Sequence, residues 1–394
     1  MRPIQAAEDS RVTRPRALMQ FDPLLILAAL GLIGCSLLTL KGATSGAIRG
    51  HPLYYVERQA IYAGIGIVLA ALLAAVDYSR LREYKFGLYG LLIAANVLVF
   101  ALGSSTLGAQ RRFSLPFVQV QPSEFGKLLL IVSLAAFAVD RSRHLHERRT
   151  TARIMVLALV PAMLVIVQPD LGTGLVYVVV GFTSLVIAGT SGKQLAALLA
   201  MFAAAIAFVL AGGPALGVHT LTSYQEQRLT AFLHPSSNPK KPGYQIHESL
   251  IAIGSGQKTG RGVAQATQTT LGYLPEHQTD FIFAVVGETY GFAGAALVLS
   301  LYALMIWRTL RILSIAKNLY GSLIAGGILA MLMFQVFVNI GVTTGIMPVT
   351  GIPLPLMSYG GSSVLVTFIA IGLLQSIHIQ ARIAAASKRR VLIS

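Results

Sequence analysis

Long apolar runs, separated by shorter polar segments, recur along most of the chain. Most of them approach the roughly 20 residues that an α-helix needs to cross a hydrocarbon core about 30 Å thick. Because every backbone polar group in lipid needs a partner within the protein, runs of this length are predicted to be helices. They are too uniformly apolar for the alternating strands of a membrane β-barrel. The predicted spans lie at 22–40, 60–76, 86–102, 125–139, 154–168, 171–188, 195–212, 281–306, 319–341 and 362–378.

The polar segments divide the chain into a membrane domain and two tails. We predict an all-α, polytopic integral membrane protein with about ten transmembrane helices in residues 21–380. Residues 1–20 and 381–394 are predicted to be the N-terminal and C-terminal tails.

Lysine and arginine residues indicate the orientation. An even number of spans puts both termini on one side of the membrane, and with the termini inside, the cytoplasmic segments hold 20 of the 31 basic residues. This asymmetry follows the positive-inside rule, so both tails are predicted to be cytoplasmic. A large extracytoplasmic loop, 213–280, then lies between helices seven and eight. Pro235, Pro239 and Pro242 favour an extended stretch within this loop.

Composition excludes several classes of protein. With 55% hydrophobic and 12% charged residues, the chain has too little charged surface for a soluble protein. The net charge of +16 sits mostly beside the spans, where topology and anionic lipid explain it, so we predict no nucleic-acid partner. The glycine-rich stretch GSGQKTGRG at 254–262 is neither a Walker A nor a Rossmann fingerprint, and nucleotide binding is unsupported. The histidines lack metal-ligand spacing, and the one cysteine, Cys35, cannot form an internal disulfide.

Four acidic residues fall at or near the predicted outer ends of spans, where a charge is expensive and therefore a candidate for function. Glu124 is three residues from Lys127, so the two share a helix face and form either a structural ion pair or part of a substrate site. Asp170 follows Pro169 and is either a helix N-cap or a substrate contact. Asp280, in LPEHQTDFIFAVVGET at 274–289, is either an N-cap or a general base. Glu288 lies about two turns further on. It is either part of the substrate site or a buried carboxyl that is hydrogen-bonded to a neighbouring helix.

Two further features of the outer side suit an anionic, polar ligand. Basic residues there, among them Arg111, match a phosphate group through the planar fork of arginine, although ordinary solvated charge is the alternative. The last outer loop, MPVTGIPLPLMSYGGSS at 347–363, is too rich in proline and glycine for a regular helix. Such backbone at membrane depth is either packed inside the protein or lines a cavity. If the loop lines a cavity, the residues that could present hydroxyl or backbone N–H groups to a ligand are Ser358, Tyr359, Gly360, Ser362 and Ser363.

Taken together, these segments resemble the SEDS family (shape, elongation, division and sporulation). The matching motifs are QPSEFGK at 121–127, QPDLGT at 168–173, the stretch from GSGQKTGRG through LPEHQTDFIFAVVGE, and PVTGIPLPLMSYGGSS at 348–363. They occur in order and cover residues 21 to 380. Within the family the chain is more similar to the elongation branch, RodA, than to the division branch, FtsW.

This resemblance implies a peptidoglycan glycosyltransferase of the bacterial cytoplasmic membrane. Such a protein polymerises lipid II beside a class B penicillin-binding protein (a transpeptidase) within the elongation machinery. By position, Asp280 matches the family's essential acid. Glu124, Lys127, Asp170, Glu288 and residues 358–363 match its other motif positions. Arg112, Gln278 and Thr289 depart from the usual pattern, which weakens any role for His277 or for paired glutamates.

The implied reaction converts an α-linked donor, undecaprenyl-linked glycan, into a β-linked product, and such an inversion requires one general base. We assign that base to Asp280. Outer arginines, Lys127 or a divalent cation (Mg or Mn) would stabilise the departing pyrophosphate. No nucleotide cofactor and no protein metal site are expected. Two other functions stay open: a lipid II flippase, and a non-catalytic scaffold that activates the transpeptidase.

Overall fold

The computed structural model describes residues 21–44, 51–102, 104–106, 109–114, 119–144, 147–209, 228, 232 and 242–391. The predicted N-terminal tail, and Pro235 and Pro239 of the large loop, lie outside these residues. Residues 381–391, predicted as a tail, continue the last helix.

Helices form nearly all of the described structure. In chain order they are α1 (Pro23–Ala43), α2 (Tyr54–Ala75), α3 (Lys85–Leu102), α4 (Pro122–Asp140), α5 (Arg148–Val167), α6 (Leu171–Ile187), α7 (Gly192–Ala207), α8 (Pro242–Gly256), α9 (Thr267–Thr270), α10 (Ile282–Ile315), α11 (Leu319–Thr343) and α12 (Gly361–Val391). Short 3₁₀ turns occupy Tyr78–Arg82, Ser142–His144 and Val263–Gln265. Between α3 and α4 the chain adds a small antiparallel sheet, in the order β1 (Ser104–Thr106), β2 (Ala109–Ser114) and β3 (Gln119–Val120).

The helical, multi-pass architecture predicted from the apolar runs is confirmed. Within the part of the chain that the structure describes, seven helices are long and apolar enough to cross a membrane: α1, α2, α4, α5, α10, α11 and α12. Shorter apolar helices, α3, α6 and α7, occupy the other three predicted positions. The total of ten spans stays a prediction. Large apolar side chains such as Leu27 (58% exposed), Ile61 (58%) and Phe337 (64%) face outward, as lipid-facing residues of a membrane bundle do.

Helix ends follow from local sequence. Asp22 caps α1 by accepting hydrogen bonds from the N–H groups of Leu24 and Leu25, and Pro23 occupies the first turn, where a missing N–H leaves no bond unmade. The Asn318 side chain caps α11 in the same way, through Gly321.

The described half of the large loop is more ordered than the prolines suggested. Pro242 begins the helix α8 and does not extend a strand-like stretch, because proline fits the first turn of a helix. Helix α8 crosses α10 at backbone distance: a Cβ built on Gly256 would lie 1.8 Å from the carbonyl oxygen of Gly287. Only glycine permits this crossing.

Helix α10 is broken at Gly291, which adopts φ 62° and ψ −158°. That conformation belongs essentially to glycine. We call residues 256–262, within the glycine-rich stretch, the splint, because they supply hydrogen-bond partners to the backbone groups around the break. Four bonds of 2.8, 3.1, 2.9 and 3.0 Å run from the N–H groups of Phe292, Ala293, Arg261 and Gly262 to the carbonyls of Gln257, Lys258, Glu288 and Thr289, respectively. Backbone irregularity at membrane depth is tolerated when a neighbouring segment satisfies it in this way.

Candidate functional site

A polar cavity of about 340 Å³ lies where α2, α4, α6 and α12 begin. The first residues of each of these helices reach it, together with the segment before α10 and the loop before α12. It is lined by Tyr54, Tyr55, Arg58, Tyr62, Gln119, Gln121, Glu124, Asp170, Glu276, Gln278, Thr279, Asp280, Gly351, Pro353, Tyr359, Gly360, Gly361, Ser362 and Ser363.

The structure therefore brings most of the predicted site residues together. Those lining the cavity are Glu124, Asp170, Asp280, Tyr359, Gly360, Ser362 and Ser363. Lys127, Glu288 and Ser358 lie outside it. The backbone of Arg111 lies in β2, and its side chain is outside the described part of the chain.

Glu124 and Lys127 form the ion pair that their spacing allows. The Lys127 Nζ lies 2.7 Å from the Glu124 Oε1, and the two side chains are 1% and 4% exposed. The other carboxylate oxygen, Oε2, has no hydrogen-bond partner among the described residues. Lys127 is thus neutralised inside the bundle, whereas Glu124 keeps an acceptor available at the cavity.

Asp170 is the N-cap of α6, accepting from the Thr173 N–H at 3.2 Å. Its second oxygen accepts from Gln121 Nε2 at 2.9 Å and from the Ser123 hydroxyl at 3.3 Å. The capping alternative is therefore correct, and the same carboxylate also joins the beginnings of α4 and α6 at the cavity wall.

Asp280 lies one residue before the N-cap of α10. The N-cap is Phe281, which has no side-chain capping bond, so the structure does not place Asp280 at the predicted N-cap position. Its backbone is held from both sides: Asn339 Nδ2 donates to the Asp280 carbonyl at 2.9 Å, and the Tyr359 N–H donates to the Gln278 carbonyl at 2.9 Å. A carboxylate on such a fixed segment is oriented before any substrate arrives.

An arginine approaches the Asp280 carboxylate near Gly351. A Cβ built on Gly351 would lie 3.8 Å from Asp280 Oδ2 and 3.6 Å from the Arg228 Nη1. Gly351 has φ +76°. Backbone in this region and the two nearby side chains together restrict the position to glycine.

The last outer loop is packed on its inner side and open on its outer side. Leu354, Leu356 and Met357 are fully buried. The Ser358 hydroxyl donates to the Thr279 carbonyl at 2.5 Å, which makes Ser358 a support for the Asp280 segment. Both alternatives for this loop are thus realised, because Tyr359 and the residues after it face the cavity.

Glu288 is used internally. It is fully buried and accepts from the Gln268 N–H at 2.8 Å, from the Thr269 N–H at 3.1 Å and from the Thr269 hydroxyl at 2.6 Å. Its buried alternative matches the structure: the carboxylate holds the short helix α9 against α10, and Glu288 does not line the cavity.

Sequence reasoning missed the first turn of α2. Arg58 lines the cavity with its guanidinium 4.4 Å from the ring centroid of Tyr54, a cation–π distance. Tyr55 packs edge-on against Tyr359, with ring centroids 4.8 Å apart. Burial, with smaller contributions from neighbouring tyrosines, raises the pKa of Tyr359 to about 12, so its phenol is a neutral donor at physiological pH. The available signal was the YYVER sequence at the start of a span.

The electrostatics of the cavity are mixed. Among the described residues, the carboxylates of Glu124, Asp170, Glu276 and Asp280 line it together with the guanidinium of Arg58, and the Arg228 side chain lies near Asp280 beside Gly351. Four helix N-termini add positive potential, which favours a bound anion. Among the described residues, no group of three acidic, histidine or cysteine side chains could hold a metal ion.

Comparison with known proteins places this geometry in a family. The family model FtsW/RodA/SpoVE, described as cell cycle protein, matches residues 18–383. The peptidoglycan glycosyltransferase MrdB of Escherichia coli K12 is 36% identical over 360 residues, covering 91% of this chain and 94% of that protein. The peptidoglycan glycosyltransferase RodA of Treponema pallidum is 32% identical and covers 93% of this chain and 99% of its own. A probable FtsW of Thioalkalivibrio sulfidiphilus is 37% identical, covering 95% and 94%.

Solved structures share the fold. The rod shape determining protein RodA of Thermus thermophilus matches with a TM-score of 0.66 and 28% identity, covering 91% of this chain and 96% of that one. A chain from work on polymerization and crosslinking by a peptidoglycan synthase complex matches with a TM-score of 0.77 and 30% identity, covering 92% and 98%.

Proposed function

Because the chain belongs to the FtsW/RodA/SpoVE family of cell cycle proteins, the SEDS family, we propose that it is a peptidoglycan glycosyltransferase that polymerises lipid II. The observation that carries this proposal is the convergence of Glu124, Asp170 and Asp280, which are far apart in sequence, on one polar cavity at the helix N-termini.

Asp280 is the general base of the proposed reaction. The 4-hydroxyl of the acceptor sugar gives its proton to the Asp280 carboxylate as its oxygen attacks C1 of the donor sugar. The bond from C1 to the pyrophosphate oxygen breaks on the opposite face, which inverts the configuration. The fixed backbone of residues 278–280 supports this role, because a general base must keep hydrogen-bond distance to the proton that it removes.

Arg58 and the helix N-termini stabilise the departing pyrophosphate. Lys127 is less suited to this role than its charge implied, because its ammonium group is paired with Glu124 inside the bundle. A divalent cation would have to be held by one or two carboxylates together with substrate phosphates, as Mg²⁺ commonly is in phosphate sites. Glu276, four residues before Asp280, is a cavity carboxylate that would offer such a ligand while Asp280 keeps its role as the base.

The cellular setting is also part of the proposal. A class B penicillin-binding protein is the partner, the bacterial cytoplasmic membrane is the location, both termini are cytoplasmic, and cell elongation is the process. Similarity to a chain of a peptidoglycan synthase complex supports the partner, and similarity to MrdB and RodA supports the process.

The test is glycan polymerisation from lipid II by purified protein, with and without the transpeptidase. Asp280→Asn keeps the shape of the side chain and removes the base, so polymer formation should fall about 100- to 10,000-fold. The matched control is Glu57→Gln, an exposed carboxylate in the first turn of α2 that does not line the cavity, and it should polymerise like the wild type.

Each outcome separates the functions. Wild-type polymerisation by folded Asp280→Asn protein would remove Asp280 as the base. Translocation of lipid II without polymer would favour the flippase. Polymer absent from every preparation, with partner binding intact, would favour the scaffold.

A further inference from the structure

At the end of the bundle opposite the cavity, one buried carboxylate joins three helices. Asp22 at the start of α1 accepts from Arg308 Nε of α10 at 2.9 Å, and its side chain is fully buried. Its backbone N–H and carbonyl pair with the Gln375 amide of α12 at 2.8 and 3.0 Å. The Asp22 carboxylate also accepts hydrogen bonds from two backbone N–H groups of α1, so Arg308 and the end of the helix together compensate its negative charge.

Two arginines beside this junction keep their charge uncompensated. Arg311 on α10 and Arg382 on α12 are exposed, and neither forms an ion pair within the described part of the chain. Both lie within electrostatic range of His378, one turn beyond Gln375.

His378 is the second, independent indication of a ligand. Its side chain is buried, at 2% exposure, yet neither ring nitrogen has a hydrogen-bond partner among the residues that the structure describes. Buried polar groups are normally paired, and an orphan calls for an explanation. In either neutral tautomer one of these nitrogens is a donor, which is the complement of an anion.

The apolar surroundings indicate what kind of anion fits. Trp307 is 52% exposed, and Leu310 and Ile383, the neighbours of Arg311 and Arg382 in sequence, are each 45% exposed. Tryptophan beside arginine at a helix end is typical of the membrane–water interface. A ligand here meets basic groups at its polar end and apolar side chains along its length.

We propose that the ends of α10 and α12 bind the phosphate of an anionic phospholipid between Arg311, Arg382 and His378. The arginines contact the phosphate from the exposed side, and His378 lies behind them on the inner side, where its buried ring turns outward to donate. The acyl chains lie along Leu310 and Ile383. The bound lipid bridges α12, which reaches the cavity at its other end, and α10, whose preceding segment lines the cavity.

The experiment measures lipid retention by the purified full-length protein, using native mass spectrometry with phosphatidylglycerol and phosphatidylcholine as probes. The variant is Arg311→Gln/Arg382→Gln, and the matched control is Arg149→Gln/Lys193→Gln, which removes two exposed charges elsewhere in the predicted cytoplasmic segments. Wild type and control should prefer phosphatidylglycerol. The variant should bind it about 30-fold more weakly, since two surface charges are lost. His378→Gln should weaken it less.

Three results would overturn the proposal. One is equal retention of the two lipids by the wild type, and another is equal loss in variant and control, which would indicate general surface charge. The third is displacement of phosphatidylglycerol by millimolar inorganic phosphate, which would make the ligand a soluble anion. Because Arg311 and Arg382 are exposed, the lipid-free variant should unfold at the same thermal midpoint as the lipid-free wild type. Weaker lipid binding by the variant would then not be caused by unfolding.

Discussion

Lys127→Met should leave the Glu124 carboxylate buried without its counter-ion, and the cost can be worked from the geometry. At 2.7 Å the Coulomb attraction is about 6 kcal/mol for an effective dielectric constant of about 20. Desolvation of both groups offsets part of it, and removing one partner of such a pair typically destabilises by about 3–5 kcal/mol. Native proteins are stable by only about 5–15 kcal/mol, so the change should be large.

The double variant Glu124→Gln/Lys127→Met removes both charges and should recover much of this loss, because replacing a buried ion pair by neutral groups is often close to neutral. Glu124→Gln alone should be destabilising, since it leaves the ammonium of Lys127 unpaired. Unfolding in detergent measures the free energy for all four proteins, and the double-mutant cycle should give a coupling of about 2 kcal/mol or more.

Polymerisation by the same four proteins separates the two roles of Glu124. Because its Oε2 is unpartnered at the cavity, the double variant should be stable yet poorly active. Additive single effects, within about 0.5 kcal/mol, would refute the buried-pair reasoning. A stable double variant with wild-type polymerisation would show that the pair is structural only.

Other perturbations address the break in α10 and the rim of the cavity. Gly291→Ala should destabilise the protein strongly, because φ is +62° and the added Cβ would lie 2.3 Å from a backbone nitrogen. The control Gly64→Ala in α2, whose added Cβ has no atom within 4 Å, should be neutral or stabilise by up to about 1 kcal/mol. Thermal unfolding of both variants measures the difference. Glu288→Ala leaves the backbone N–H donors of Gln268 and Thr269 unpaired, so amide hydrogen exchange at residues 267–270 should accelerate. Glu288→Gln should show a smaller change. Unchanged exchange in Glu288→Ala would contradict the buried role of this carboxylate. The pKa of Tyr359 is raised in the folded protein, so the unfolded chain loses the phenol proton first and the free energy of unfolding should fall as pH rises from about 10 to about 12. Tyr359→Phe should make the free energy of unfolding depend less on pH over that window. An unchanged slope of this free energy against pH would refute the raised pKa.

The spans were predictable because lipid imposes a length and composition that any run of apolar residues reveals. The break between α5 and α6, at residues 168–170, was visible for the same reason, as were the proline and aspartate that end one helix and cap the next. Helix α8 carried a weaker signal, Ile246, Leu250 and Ile253 at helical spacing, which the flanking proline and glycines obscured.

The assembly of the site was less predictable, because it depends on contacts between residues far apart in sequence. Family motifs indicated Asp280, but only the packing shows that Phe281 is the N-cap and that Glu288 supports α9 away from the cavity. Arg58 resembled an ordinary flanking charge, since nothing local reveals that α2 begins at the same cavity as α12.

The splint has a consequence for protein engineering. Its carbonyl and amide groups complete the hydrogen bonding of α10 on both sides of Gly291, so this part of the large loop is not a detachable module. A chimera that exchanges residues 242–270 between relatives should fold only if glycine stays at 256, 260 and 291, because a Cβ at these positions would lie 1.8, 2.2 and 2.3 Å from facing backbone atoms, respectively. Epitope tags placed within residues 256–262 should abolish membrane accumulation of the protein. The loop and the helix therefore constrain each other's sequence at Gly256, Gly260 and Gly291.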